Sequence, residues 1–147
     1  MAVYDLFFDG AFKNKTASFG FVLYRDNKQV DRGYGVLGTG GKLNATIGEY
    51  YGLSYGLDAF VRQIDRPAEI LNIYGDSAFV ISQVKKDLHD YEELQVIKFK
   101  LKQVSLLVSK INIAWVPRSK NQIANALAKT LRVSISGGIA NPLPRLK

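Results

Sequence analysis

The chain has 147 residues, of which 47% are hydrophobic and 22% charged, and its formal net charge is +7. This length and composition are typical of one globular domain, and the absence of cysteine excludes disulfides and thiolate metal sites. No apolar run approaches the roughly 20 residues of a membrane helix, and Asp5 and Asp9 interrupt the N-terminus where a signal peptide would be apolar, so we expect a cytoplasmic protein.

The first half of the chain predicts three strands and a helix. A near-continuous apolar run over residues 3–9 predicts a central strand that is buried on both faces. Predicted strands at 18–24 and 29–37 flank a polar turn and therefore form a hairpin. After a glycine-rich break, apolar residues recur at helical spacing from about Thr46 to Arg62.

The second half predicts two more strands and three helices. A strand at 70–75 is followed by Ser77, a good N-cap for a short helix. An apolar stripe predicts a longer helix from about Glu92 to Ser109, and alternation predicts a strand at 111–116 that stops at Pro117. Trp115 on this strand is expected to be a core residue rather than a platform for stacking bases. A last helix is expected from about Asn121 to Arg132. We expect one domain over residues 1–132 and a C-terminal tail over 133–147.

The order of these elements predicts an α/β fold. Short links between strands give antiparallel pairs, whereas helical crossovers give parallel pairs. The first three strands should therefore be antiparallel and the last two parallel to the first. The sequence predicts a mixed five-stranded sheet with helices on both faces.

Three acidic residues lie at junctions of the predicted elements. Asp9 ends the first strand, Asp76 directly follows the strand at 70–75, and Glu49 lies near the start of the first helix. Strand-end carboxylates that converge in an α/β protein form a hard-oxygen site for Mg²⁺, and such sites commonly act on phosphodiesters. The alternative is that these are only surface charges at strand ends.

The positive charge is concentrated in the second part of the chain. Residues 1–91 contain 10 Lys and Arg against 11 Asp and Glu, whereas residues 92–147 contain 10 against 2. This charge distribution is expected of a protein whose basic surface binds a polyanion while its acidic site binds a metal at one phosphate. A solvated basic face is the alternative.

Several motifs, in this order and on these elements, resemble those of the type 1 ribonucleases H. They are Phe-Asp-Gly-Ala at 8–11, Gly-Glu-Tyr at 48–50, Gly-Asp-Ser at 75–77, Trp-Val-Pro-Arg at 115–118 and Asn-Gln-Ile-Ala-Asn-Ala-Leu-Ala at 121–128. The match runs from about residue 3 to residue 131. The resemblance implies a ribonuclease H-like fold and endonucleolytic hydrolysis of the RNA strand of RNA–DNA hybrids. It also implies two Mg²⁺ ions, with Mn²⁺ as a substitute, and products with 5′-phosphate and 3′-hydroxyl ends.

The resemblance implies that Asp9, Glu49 and Asp76 are catalytic and bind the metals. Asn125 stands where the family usually has a fourth carboxylate. An amide can ligate Mg²⁺ or orient a water, but it brings no charge. Asn125 is therefore compatible with a natural active variant, which we favour, with a silenced enzyme that still binds hybrids, or with an engineered inactive form.

Two further departures concern substrate binding. Arg118 and Lys120 occupy the loop where many members have a histidine, and the family's paired asparagines before the glutamate are not intact. The expected substrate-binding residues are Gly10, Ala11, Phe12, Asn14, Asn44, Thr46, Arg118, Lys120 and Asn121. The expected partner is an RNA–DNA hybrid, bound by a monomer. The alternatives are a non-catalytic binder of hybrids or duplex RNA, and another nuclease such as an exonuclease or a Holliday-junction resolvase.

Overall fold

The computed structural model describes residues 2–39, 43–65, 68–86 and 92–135. Five strands, four α-helices and one short 3₁₀ helix occur in these ranges. In chain order they are β1 (Val3–Lys13), β2 (Thr16–Arg25), β3 (Lys28–Thr39), α1 (Ala45–Gln63), β4 (Ala68–Gly75), α2 (Ala78–Lys85), α3 (Glu92–Val104), β5 (Val108–Trp115), the 3₁₀ helix (Arg118–Lys120) and α4 (Gln122–Ile135).

The strands form one sheet in the order β3-β2-β1-β4-β5. β2 is antiparallel to β1 and to β3, β4 is parallel to β1, and β5 is parallel to β4. Both hairpin turns are two residues long with positive φ, Asn14 and Lys15 in the first and Asp26 and Asn27 in the second, as the twist of a tight hairpin requires. The predicted mixed sheet is confirmed.

Helices lie on both faces of the sheet, as predicted. On one face Tyr4, Leu6 and Phe8 of β1 are buried in the main core with α1, α2 and α3. On the other face α4 approaches β2 so closely that a Cβ on Gly20 would lie 2.5 Å from the Ala128 nitrogen. The Ser18 hydroxyl donates a hydrogen bond to the Ala128 carbonyl there. The two faces therefore bring α1 and α4 to opposite sides of β1.

Several predicted boundaries were wrong. β1 continues four residues past Asp9 because Gly10 to Lys13 pair with β2. α3 ends at Val104 rather than Ser109, since Val108 instead begins β5 and pairs with Ala68. α4 ends at Ile135 rather than Arg132. The predicted tail over 133–147 stays a prediction, because residues 136–147 lie outside the described part of the chain.

None of the helices in the described ranges is both long enough and apolar enough to cross a membrane.

Candidate active site

Three carboxylates from three different elements meet at one edge of the sheet. Asp9, Glu49 and Asp76 each offer one oxygen, and these three oxygens lie within 4.8 Å of one another. We expected Asp9 to end its strand, but it lies within β1. It is two residues past Phe7, which pairs with Tyr74 and is the last residue of β1 that pairs with β4. Because β4 stops there, Asp76 is free to turn toward Asp9.

Glycine allows α1 to bring Glu49 against β1. A Cβ on Gly10 would lie 2.2 Å from the Glu49 nitrogen, which no side chain could tolerate. The α1 N-terminus is fixed by Asn44, whose side chain accepts a hydrogen bond from the Ile47 amide. The close approach of the two backbones therefore places Glu49 at the Asp9 carboxylate.

Asp9 and Glu49 are buried, and burial raises the pKa of both carboxyl groups. Asp9 is 1% exposed and Glu49 is 6% exposed. Burial is the main cause that raises the pKa of Glu49 to about 8, and repulsion from Asp9 and Asp76 adds to it. Burial also raises the pKa of Asp9, against the opposing effect of its hydrogen bond from Asn125. Without a cation, Glu49 therefore holds a proton at neutral pH.

The residues present fit a hard divalent cation. The Oε1 atom of Glu49 is buried and has no hydrogen-bond partner among the described residues. A buried polar atom is normally paired, and an unpaired one costs free energy. An unpaired carboxylate oxygen beside two further carboxylates matches the oxygen ligands that Mg²⁺ prefers.

We expect the metal-free protein to lose stability as the pH rises from about 4.5 to about 8, the ordinary and the raised pKa of Glu49. In this pH range the folded state keeps a proton on Glu49 that the unfolded chain has released. The contribution of Glu49 to the free energy of unfolding is therefore complete below pH 4.5 and falls by roughly 1.4 kcal/mol per pH unit between pH 4.5 and about 8. Denaturant unfolding in EDTA at several pH values measures this slope.

Glu49→Gln should flatten that slope, while the exposed control Glu92→Gln should leave it unchanged. Mg²⁺ should raise the unfolding midpoint more at pH 8 than at pH 5.5, because it replaces the proton. Equal slopes for Glu49→Gln and the parent protein would contradict the assignment.

Two asparagines of the α4 region donate to the site carboxylates. Asn125 Nδ2 donates to Asp9 Oδ2 at 2.6 Å. Asn121 Nδ2 donates to Asp76 Oδ2 at 3.1 Å and to the Phe8 carbonyl at 2.9 Å. Asn125 was predicted to belong to the site, but its hydrogen bond to Asp9 was not. Only the packing of α4 against the sheet brings these two residues together.

Asn121 is 1% exposed, although we expected it to bind substrate. Its amide bridges β1 and Asp76 and thus holds the Asp76 side chain in place. The burial and the two hydrogen bonds favour a positioning role over direct contact with a substrate.

Arg118 and Trp115 lie at exposed positions beside Asp76. Arg118 Nε lies 3.8 Å from Asp76 Oδ2 on a side chain that is 69% exposed, and Lys120 is exposed in the same 3₁₀ helix. Trp115 is 53% exposed and donates from Nε1 to the Asp76 carbonyl at 3.0 Å. The prediction that Trp115 lies in the core was wrong because β5 is an edge strand and Trp115 is its last residue.

The other expected substrate residues lie along β1 and at the start of α1. Gly10 donates its amide to Asp9 Oδ1, Ala11 is buried, and Phe12 is 38% exposed. Asn14 is in the exposed β1–β2 turn, five residues past Asp9, which is about 17 Å along a strand. Asn44 caps α1 and Thr46 is half-buried nearby. A ligand that contacts all of these positions must be extended, as a nucleic acid is.

The chain matches a family of proteins and several solved structures. A model of the family described as reverse transcriptase-like matches residues 7–131. RNase H1 from the halophilic archaeon Halobacterium salinarum is 25% identical, with a TM-score of 0.73 over 90% of this chain and 98% of that one. The N-terminal RNase H domain of rv2228c from Mycobacterium tuberculosis is 21% identical, with a TM-score of 0.76 over 93% of this chain and 98% of that one.

A third structure, LC11-RNase H1 in complex with an RNA/DNA hybrid, is 16% identical, with a TM-score of 0.63 over 84% of this chain and 92% of that one. Its protein was isolated from compost by a metagenomic approach. Together these matches confirm the fold and the resemblance that the motifs indicated.

Proposed function

We propose a function for this chain from two premises: it belongs to the reverse transcriptase-like family, and it has the ribonuclease H fold. The proposed function is that of an endoribonuclease that hydrolyses the RNA strand of RNA–DNA hybrids. The observation that carries this proposal is the convergence of Asp9, Glu49 and Asp76 within 4.8 Å, with one buried Glu49 oxygen unpaired. The hybrid complex of LC11-RNase H1 supports the substrate class.

Asp9, Glu49 and Asp76 would hold two Mg²⁺ ions or Mn²⁺ in their place, with Asn125 as the neutral fourth group. When bound, the ions stabilise the charge that develops on the phosphoryl oxygens during in-line displacement. Glu49 must release its proton before it can ligate a cation, since its pKa is about 8 without metal. The expected products carry 5′-phosphate and 3′-hydroxyl ends.

The exposed residues around the site would bind the hybrid. Arg118 carries a positive charge beside Asp76, where the scissile phosphate must enter. Polar groups of Asn14, Asn44 and Thr46, with the backbone of Gly10 and Ala11, can meet 2′-hydroxyl groups, which distinguish RNA from DNA. Phosphate contacts by Arg118 and Lys120 should make binding salt-dependent.

A non-catalytic binder of hybrids or duplex RNA is the second candidate. The observation that favours it is Asn125, which places an amide donor instead of a fourth negative charge against Asp9. Such a site would hold cations less tightly but would leave the exposed substrate residues intact.

Incubating end-labelled RNA–DNA hybrid, DNA duplex and RNA duplex with Mg²⁺ or Mn²⁺ tests the proposal. We expect cleavage of the RNA strand of the hybrid alone, and none by Glu49→Gln or in EDTA. Binding of the hybrid without cleavage at any Mg²⁺ or Mn²⁺ concentration would select the second candidate, and cleavage of DNA would indicate another nuclease. A monomer in size-exclusion chromatography and a cytoplasmic location stay predictions.

A further inference from the structure

A groove of about 410 Å³ lies on the α4 face of the sheet, beside the start of α4. α4 covers Ser18 and Gly20 of β2 but leaves Phe7 and Tyr24 half-buried. These two rings and Val22 line the groove on the sheet side, and residues 119–124 line it on the α4 side. The groove is therefore walled by sheet and helix and open on its remaining side.

Aromatic rings form a row across three strands at this face. Phe7 of β1 meets Tyr24 of β2 edge to face, with ring centroids 5.9 Å apart. On its other side Phe7 lies against Tyr74 of β4, with centroids 4.9 Å apart. Ile123 of α4, 47% exposed, also lines the groove. Aromatic side chains on a sheet face are the surfaces on which unpaired bases stack in nucleic-acid-binding folds.

A carboxylate in a fixed orientation also lines the groove. Asp5 Oδ1 accepts a hydrogen bond from Asn72 Nδ2 at 2.9 Å, and Asn72 Oδ1 accepts one from Asn112 Nδ2 at 2.8 Å. This chain of amides orients the Asp5 carboxylate, which can accept hydrogen bonds from an amino group on a base edge. Lys120, on the opposite wall, is exposed and can meet a phosphate.

The groove lies beside the candidate active site, and Asn121 stands between them. Asn121 lines the groove and also donates to Asp76. Phe7 lies two residues before Asp9 on the same face of β1. A strand whose phosphate reaches the carboxylates could therefore continue into the groove. The groove volume of about 410 Å³ is near the lower end of the roughly 300–1,000 Å³ of small-ligand sites, which suits a single nucleotide.

We propose that this groove binds one unpaired nucleotide of a single-stranded segment that continues from the hybrid at the active site. The base stacks on the ring of Tyr24 and contacts Phe7 and Ile123, its edge donates to Asp5, and its phosphate meets Lys120. The inference rests on the proposed function for the hybrid, but the side chains that would contact the base, Asp5, Phe7, Tyr24 and Ile123, are ones that the proposed hydrolysis does not use.

Fluorescence anisotropy in EDTA tests this proposal without cleavage or metal. The probes are a labelled blunt RNA–DNA hybrid and the same hybrid with a four-nucleotide overhang at each of its four ends in turn. One stacked base should tighten binding of at least one overhang by about tenfold or more. Tyr24→Leu and Asp5→Asn should reduce that gain, while Tyr24→Phe, which keeps the ring, should retain it.

Phe99→Leu, on α3 and 62% exposed, is the matched aromatic control and should keep the gain. Each variant is accepted only if its unfolding midpoint matches that of the parent. Equal affinity for blunt and overhanging hybrids, or a gain that Tyr24→Leu preserves, would overturn the groove site.

A labelled single-stranded oligonucleotide separates failure of this inference from failure of the proposed function. If the parent neither cuts nor binds the blunt hybrid, the proposed function fails. The groove is then supported only if the oligonucleotide binds and Tyr24→Leu weakens that binding, and it is refuted if the two proteins bind equally or not at all.

Discussion

Asp9→Asn is expected to abolish hybrid cleavage while it raises the stability of the metal-free protein. Asp9 offers an oxygen within 4.8 Å of those of the other two carboxylates, and repulsion from it contributes to the raised pKa of Glu49. Even outer-shell partners of metal ligands change activity by about 10–100-fold, so loss of a charged ligand should cost more than about 100-fold. Initial rates on labelled hybrid measure the first effect, and denaturant unfolding at pH 8 in EDTA measures the second.

A loss of cleavage together with a gain in stability distinguishes a metal ligand from a structural residue. A buried structural carboxylate would lose stability when changed, because its partners would be left unpaired. Asp58→Asn is the matched control, since Asp58 forms an ion pair with Lys100 between α1 and α3, away from the site. It should keep the parent's cleavage rate. An Asp9→Asn protein that is less stable than the parent in EDTA at pH 8, or that still cuts at a similar rate, would refute the role assigned to Asp9.

Asn125→Asp is expected to raise cleavage at low Mg²⁺ and to destabilise the metal-free protein. The change replaces a donor 2.6 Å from Asp9 Oδ2 with a carboxylate oxygen. Two like charges about 4 Å apart repel by roughly 4 kcal/mol at an effective dielectric of 20, and protonation of one group relieves part of this. Divalent cations remove the repulsion, so the variant should bind them more tightly than the parent does. Added Mg²⁺ should therefore raise the melting temperature of the variant more than that of the parent.

Thr130→Glu provides the control for added charge. It places the same negative charge at an exposed position of α4 outside the groove. The Mg²⁺ concentration that gives half-maximal rate should fall for Asn125→Asp and stay unchanged for Thr130→Glu. If the parent cuts nothing and Asn125→Asp cuts hybrid, the natural chain is a silenced binder. Identical metal dependence in all three proteins would show that Asn125 does not influence the cation site.

Local sequence patterns were sufficient for the fold. Short polar turns near Asn14 and Asn27 impose hairpins, and helical crossovers impose parallel pairing, so the order of elements predicted the sheet before any coordinates. The three acidic positions were also predictable, because each follows or interrupts an apolar pattern. The end of β1 was not, since residues 10–13 are strand only through their pairing with β2.

The finer features of the site depend on contacts between distant residues. Asn125 and Asp9 are 116 positions apart, and Asn121 and Phe8 are 113 apart. No local pattern shows that these amides donate to the carboxylate site or to the strand beside it. The exposure of Trp115 likewise follows from the edge position of β5, which its own alternating pattern does not reveal.

The sequence alone determined the sheet, its connections and the three carboxylates, because hydrophobic periodicity and loop length act over a few residues. Only the tertiary structure decided how protonated the site is, which amides hold its carboxylates, and that an aromatic groove opens beside it. Burial and side-chain hydrogen bonds depend on how α1 and α4 pack on opposite faces of β1, and that packing is a property of the whole fold.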